Sequence, residues 1–211
     1  MEDLLNKKGK FITLEGMDGA GKSTHIPNIV NQLQSSGAQV VSTREPGGTV
    51  LGEDLRDLLL QKPMHPETET LLMFAARREH IAEVIAPALA RGDCVVSDRF
   101  TDATYAYQAG AKEVLIDKIA QLETWVQGQL QPDFTLLFDV PVEVSLQRLA
   151  AARTPDKFER EGAAFFEKLR NAYLDRAKNN PVRFRVINAN QALEEVRNKV
   201  KVIIEEIILT N

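Results

Sequence analysis

Residues Gly16-Met17-Asp18-Gly19-Ala20-Gly21-Lys22-Ser23-Thr24 constrain this 211-residue chain more than any other stretch. They follow a short apolar run, Phe11-Ile12-Thr13-Leu14, and precede Ile26, Ile29, Val30 and Leu33 at helical spacing. Gly-x-x-x-x-Gly-Lys-Ser between a strand and a helix is the P-loop pattern. Such a loop turns its backbone N–H groups onto phosphate oxygens, with the positive end of the next helix behind them. Lys22 is expected to reach the β- and γ-phosphates of ATP, and the Ser23 hydroxyl to ligate Mg²⁺. The whole run from Gly16 to Thr24 is therefore expected to line the nucleotide.

Downstream, the chain alternates between two periods. Helices are expected at about 24–36, 51–60, 68–90, 112–128, 142–152, 163–178 and 191–208. Strands are expected at Gln39–Thr43, Cys94–Ser97, Thr135–Val140 and Phe184–Ile187, besides the one before the P-loop. Residues 101–110 read as a polar and aromatic connection. Strict alternation of this kind predicts an α/β fold with a mainly parallel five-stranded sheet, helices covering both faces. No internal repeat or low-complexity linker divides the sequence, so one domain spanning 1–211 is expected.

Composition narrows the function. A net charge of −4 argues against a general nucleic-acid binder. No apolar run approaches the ~20 residues of a membrane span, and Met1-Glu2-Asp3-Leu4-Leu5-Asn6 is no signal peptide, so a cytoplasmic protein is expected. Cys94 sits in an apolar run and reads as a buried strand thiol. His25, His65 and His80 share no ligand spacing. A guanine-reading Asn-Lys-x-Asp is absent, which removes a GTP switch.

Ligands in open α/β sheets gather beyond the carboxyl ends of the strands. Two such ends carry arginines, at Arg44-Glu45-Pro46-Gly47-Gly48-Thr49 and at Asp98-Arg99-Phe100. Arg44 and Arg99 suit a second phosphate, because the guanidinium fork binds phosphate bidentately. Asp98 is a candidate for Mg²⁺ or its water shell.

These stretches, with Ala106-Tyr107-Gln108, closely resemble the bacterial thymidylate kinases, and the likeness covers nearly the whole chain. It implies the nucleoside monophosphate kinase fold, the substrates ATP and dTMP with Mg²⁺, and a homodimer. It also implies residue roles. Phe74 would stack on thymine and Arg77, ahead of Arg78, donate to a base carbonyl, with Phe74 and Met73 both open for the stacking position. Thr104 and Gln108 would meet the base edge, Tyr107 would cover the sugar, and Asp18 would hold its 3′-hydroxyl. One group of these kinases carries an arginine in the P-loop, where this chain has Gly19. The missing cation is then expected from a mobile lid at about 150–162, Arg153 first and Arg160 second. The chain departs from the family at Lys157, where arginine is frequent, at Ala109-Gly110-Ala111-Lys112, and at Asn188.

Overall fold

The structure is a computed structural model that describes residues 9–152, 157–158 and 161–210. The expected lid arginines, Arg153 and Arg160, lie outside the described residues. The order is β1 (Phe11–Glu15), α1 (Lys22–Ser35), β2 (Val40–Arg44), α2 (Val50–Gln61) and α3 (Pro66–His80). A π-helical turn, Ile81–Ile85, leads into α4 (Ala86–Ala90), then β3 (Cys94–Asp98) and α5 (Thr101–Thr104). A second π-helical stretch, Tyr105–Ala111, precedes α6 (Ile116–Gln127), β4 (Phe134–Asp139), α7 (Val142–Ala152) and α8 (Ala163–Asn179). β5 (Phe184–Asn188) and α9 (Leu193–Leu209) follow.

The five strands pair in parallel in the order β2-β3-β1-β4-β5. All of β1 is buried, as is nearly all of β3 and β4, which is why these strands read as mainly apolar without a polar face. The edge strands β2 and β5 keep exposed positions. Most of the core forms one cluster, with Ile12, Leu14, Leu136 and Phe138 of the sheet packed on Ile29, Leu169, Tyr173 and Ile204. Cys94 is buried as expected. Among the described residues, no helix is long and apolar enough to cross a membrane.

Register aligns the strand ends. Asp98 lies opposite Leu14 on one side and Arg44 on the other, and Asp139 opposite Asn188. The loops after β1, β2 and β3 therefore open onto a single rim.

Two elements differ from the periodic reading. The helix expected over 68–90 is broken by the π turn before Pro87, whose missing N–H cannot bond the carbonyl four residues back. Residues 101–111 are helical, and the following helix begins at Ile116 instead of 112. Tertiary packing decides there: Thr101, Thr104, Tyr105 and Tyr107 are buried. At Gly110 an added Cβ would come within 2.4 Å of Ala172 Cβ on α8.

Candidate active site

The loop after β1 is shaped by close backbone approaches. A Cβ on Gly16 (φ 134°) would lie 2.4 Å from the Phe138 carbonyl oxygen. One on Gly19 (φ 78°) would lie 2.6 Å from that of Ser145. Both are too short for any side chain, so the arginine some relatives carry here cannot be accommodated while α7 packs in this way. Ser145 Oγ also donates to the Asp18 carbonyl at 2.5 Å, which clamps the loop to α7.

Lys22 opens α1, and its ammonium lies back across the loop, donating to the carbonyls of Gly16 (2.9 Å) and Met17 (3.0 Å). It is buried, with burial and the nearby Arg99 guanidinium both lowering its pKa. Met17 and Ala20 are buried too, whereas Ser23 and Thr24 are exposed on the first turn of α1.

Arg99 follows β3 at φ 72°, a left-handed conformation uncommon for a long side chain and a mark of constraint. Its guanidinium donates to Asp18 Oδ1 (2.7 Å), the Tyr173 hydroxyl (2.8 Å) and the Tyr107 hydroxyl (3.0 Å). Tyr107 donates in turn to Asp18 Oδ2 at 2.8 Å. Burial alone would raise the Asp18 carboxyl, but Arg99 and Lys22 outweigh it and hold Asp18 well below the usual carboxylate range. Asp98 Oδ1 is buried and has no hydrogen-bond partner among the described residues.

Glu15, at the end of β1, accepts from the Phe100 N–H (2.8 Å) and the Tyr173 hydroxyl (3.0 Å). Burial, with Asp102 adding to it, pushes its carboxyl from 4.5 up to about 8. Between these two values the folded chain holds more protons than the unfolded one, so stability falls as pH rises through the window. Glu15→Gln, neutral at every pH, is expected to flatten the decline in Tm between pH 5 and 8. An unchanged slope in a pH series of thermal melts would show that another group sets it.

The loop after β2 carries Glu45, which is buried and accepts from Arg77 Nε (2.7 Å) and His80 Nδ1 (2.9 Å). His80 Nε2 lies 2.6 Å from Thr43 Oγ1, so its role here is structural. His25 stacks on Phe138 with ring centroids 5.4 Å apart. Arg44 points outward into an exposed ion pair with Glu53 at 2.7 Å.

Beyond these strand ends lies a cavity of about 650 Å³, part of it open to solvent. Asp18, Arg77, Arg99, Thr104, Tyr107 and Gln108, all named from the sequence, line it. Glu45, Pro46, Arg56, Leu60, Met73, Phe100, Ala103 and Phe158 complete the wall.

Two expectations require correction. Phe74 is not at this wall: it is buried with Tyr105, Val114 and Ile119, under the Arg77 guanidinium 4.8 Å from its ring centroid. Met73, the other residue left open, lines the cavity. Arg44 is likewise absent from the wall, because α2 begins with Glu53 placed to capture it. Arg56, one turn further along α2, lines the cavity and donates to the Pro46 carbonyl at 2.9 Å. Sequence reasoning missed Arg56, although its spacing of three residues from Glu53 puts both on one helical face.

Arg77 donates to Thr104 Oγ1 at 3.0 Å, but its Nη1 is buried without a partner among the described residues. Gln108 donates from Nε2 to Glu69 at 2.9 Å, which leaves its amide oxygen for the cavity it lines. Among the described residues, no group of three or more His, Cys, Asp or Glu is arranged to hold a metal ion by itself.

The fold and this rim have close counterparts. The solved structure of a thymidylate kinase from Ehrlichia chaffeensis superposes with a TM-score of 0.75 at 33% identity, covering 92% of this chain and 98% of that one. A thymidylate kinase from Methylobacillus flagellatus is 66% identical over 199 residues, covering 94% of this chain and 98% of the relative. One from Cupriavidus metallidurans is 64% identical over 203 residues, covering 96% and 99%. Residues 14–200 match the family model described as thymidylate kinase, a span that takes in both arginine-bearing loops, the cavity wall and the P-loop's glycines and lysine. By fold, by sequence and by what stands at the ends of its strands, this chain belongs to the thymidylate kinase family.

Proposed function

We propose that this chain transfers the γ-phosphoryl group of ATP to dTMP, giving dTDP and ADP, a step in supplying dTTP for DNA replication. Family membership carries the reaction. The observation that carries the acceptor base is a pair of polar groups on residues that line the cavity: Arg77 Nη1, a donor without a partner among the described residues, and the amide oxygen of Gln108, whose Nε2 is taken by Glu69. Thymine presents the complement, an N3–H donor beside the O4 acceptor. Leu60, Met73 and Phe158 supply an apolar wall for the ring and its methyl.

Phosphoryl transfer demands positioning and charge neutralisation more than covalent chemistry. The loop amides and the N-terminus of α1 receive the donor phosphates. Lys22, now held by two carbonyls, exchanges those neutral acceptors for a charged phosphate oxygen, which makes the stronger bond. Arg99, fixed by Asp18 and two tyrosines, faces the acceptor phosphate, with Arg56 the second cation of the wall. Asp18 and Tyr107 meet the deoxyribose. Arg153, with Arg160 as the alternative, completes the cation set from a lid of about 150–162 within the single domain.

Mg²⁺ fits this rim because the buried Asp98 Oδ1 lacks a partner and the Ser23 hydroxyl stands exposed on the first turn of α1. When bound there it screens the charge of the phosphates. The family's homodimer belongs to the same reading, and the exposed Leu71 on α3 and Trp125 on α6 suit an interface. Sedimentation of the purified chain reads that assembly: a monomer at every concentration would remove it.

The acceptor assignment is tested by kcat/KM for dTMP, dUMP, UMP and dCMP at saturating MgATP. A methyl in an apolar pocket contributes about 1–3 kcal/mol, so dUMP should trail dTMP by roughly 10–200-fold. UMP should be weaker again, because Tyr107 packs where a 2′-hydroxyl would project. dCMP should be the poorest, since its exocyclic amine faces the Arg77 donor and its N3 faces the Gln108 oxygen. If dCMP or UMP matched dTMP, the acceptor would be another nucleoside monophosphate.

A further inference from the structure

Glu69 does not itself line the cavity, yet it is wholly buried on α3 and collects donors from two other parts of the chain. Gln108 Nε2 donates to its Oε1 at 2.9 Å. Lys112 Nζ lies 2.9 Å from each of its oxygens, and Lys157 Nζ lies 2.6 Å from Oε2. The Phe158 ring stands against both ammonium groups, 4.4 Å from Lys112 Nζ and 4.9 Å from Lys157 Nζ at its centroid. The same ring lines the cavity.

A glutamine side chain is ambiguous on its own, since rotating the amide by half a turn exchanges a donor for an acceptor at little cost. A carboxylate removes that freedom. Glu69 already receives two ammonium groups, so it offers Gln108 only an acceptor, and a flipped amide would set oxygen against oxygen in a buried site.

We infer that Glu69 is a positioning residue that fixes the polarity of the Gln108 amide, so that the cavity meets the base with an acceptor beside the Arg77 donor. The inference rests on the dTMP reading above and deepens it. With Gln108 locked, cytosine is mismatched at two points, at its N3 and at its exocyclic amine. With Gln108 free to turn, its N–H can meet cytosine N3, and only the Arg77 mismatch remains. Discrimination is thus divided between Arg77, a donor by its chemistry, and Gln108, an acceptor only because of Glu69.

The test is kcat/KM for dTMP and dCMP in Glu69→Gln, whose amide can either accept or donate. The dTMP value is expected to fall by about tenfold, chiefly through KM, and the dTMP-to-dCMP ratio to narrow by about tenfold or more. Because Glu69→Gln strands two ammonium groups, the charge-balanced Glu69→Gln/Lys112→Met is measured beside it and should narrow the ratio equally. Lys112→Met alone should lower Tm and leave the ratio unchanged, since Glu69 still faces Gln108. If wild type prefers dTMP while both Glu69 variants keep its ratio within twofold, the inference is overturned and the dTMP reading stands. Equal narrowing in Lys112→Met would also overturn it, since general loosening would then explain the effect. A wild-type chain with no preference for dTMP over dCMP would overturn both.

Discussion

Lys22→Ala is expected to lower kcat by about 10³-fold or more, because one preorganised donor aimed at developing phosphate charge contributes about that much. The lysine is not the exposed loop residue its motif suggests. It is buried and occupies the carbonyls of Gly16 and Met17, so its removal leaves the Gly16 carbonyl without a donor, while that of Met17 keeps the Ala20 N–H. That loss should cost about 1–3 kcal/mol, visible as a modest drop in Tm. Circular dichroism and an ADP-release assay separate the two effects. Activity within tenfold of wild type in a folded variant would remove Lys22 from the phosphate site.

Arg99→Ala should produce the other large loss, about 10²–10³-fold in kcat/KM for dTMP, with a stability cost of up to about 3 kcal/mol. Its guanidinium serves Asp18, Tyr107 and Tyr173 together, so truncation leaves a carboxylate and two hydroxyls without their common donor. Arg99→Lys should recover little of the activity, because an ammonium cannot span acceptors set out for a planar fork. Asp18 should titrate at higher pH in Arg99→Ala, since Arg99 is foremost among the charges holding it down. Near-wild-type kcat/KM in Arg99→Lys would show that charge alone suffices there.

The legible parts of this chain are those where the backbone itself is specified. The P-loop glycines and the Asp98-Arg99-Phe100 turn could be placed from sequence because each marks a strand end where the backbone is constrained, by close approach at Gly16 and Gly19 and by a positive φ at Arg99. Alternating periods gave the parallel sheet for the same reason, each strand recording how deeply it is buried. Side chains whose meaning depends on distant partners were not legible. Glu69 meets Gln108, Lys112 and Lys157 across 39, 43 and 88 residues of sequence, and no local pattern announces that. Met73 and Phe74 are adjacent, so a shift of one position, about 100° around α3, decides which reaches the cavity. Arg44 is held away from the cavity, and the unforeseen Arg56 lines it, because a single acidic residue, Glu53, stands within reach of Arg44.

The π-helical stretch from Tyr105 to Ala111 governs which changes of length this chain can tolerate. A π turn holds one residue more than an α turn, so deleting a single residue there would restore ordinary α pitch without breaking the helix. Because the shortened turn still closes once, what lies beyond the deletion would keep roughly its facing, whereas the same deletion in an ordinary α turn rotates it by about 100°. Thr104 would stay at the cavity and Lys112 on the side of Glu69. A one-residue deletion between Met73 and Arg77 on α3 would instead turn one of the two away from the cavity; within Tyr105–Ala111 the two ends of the base-reading surface keep their alignment.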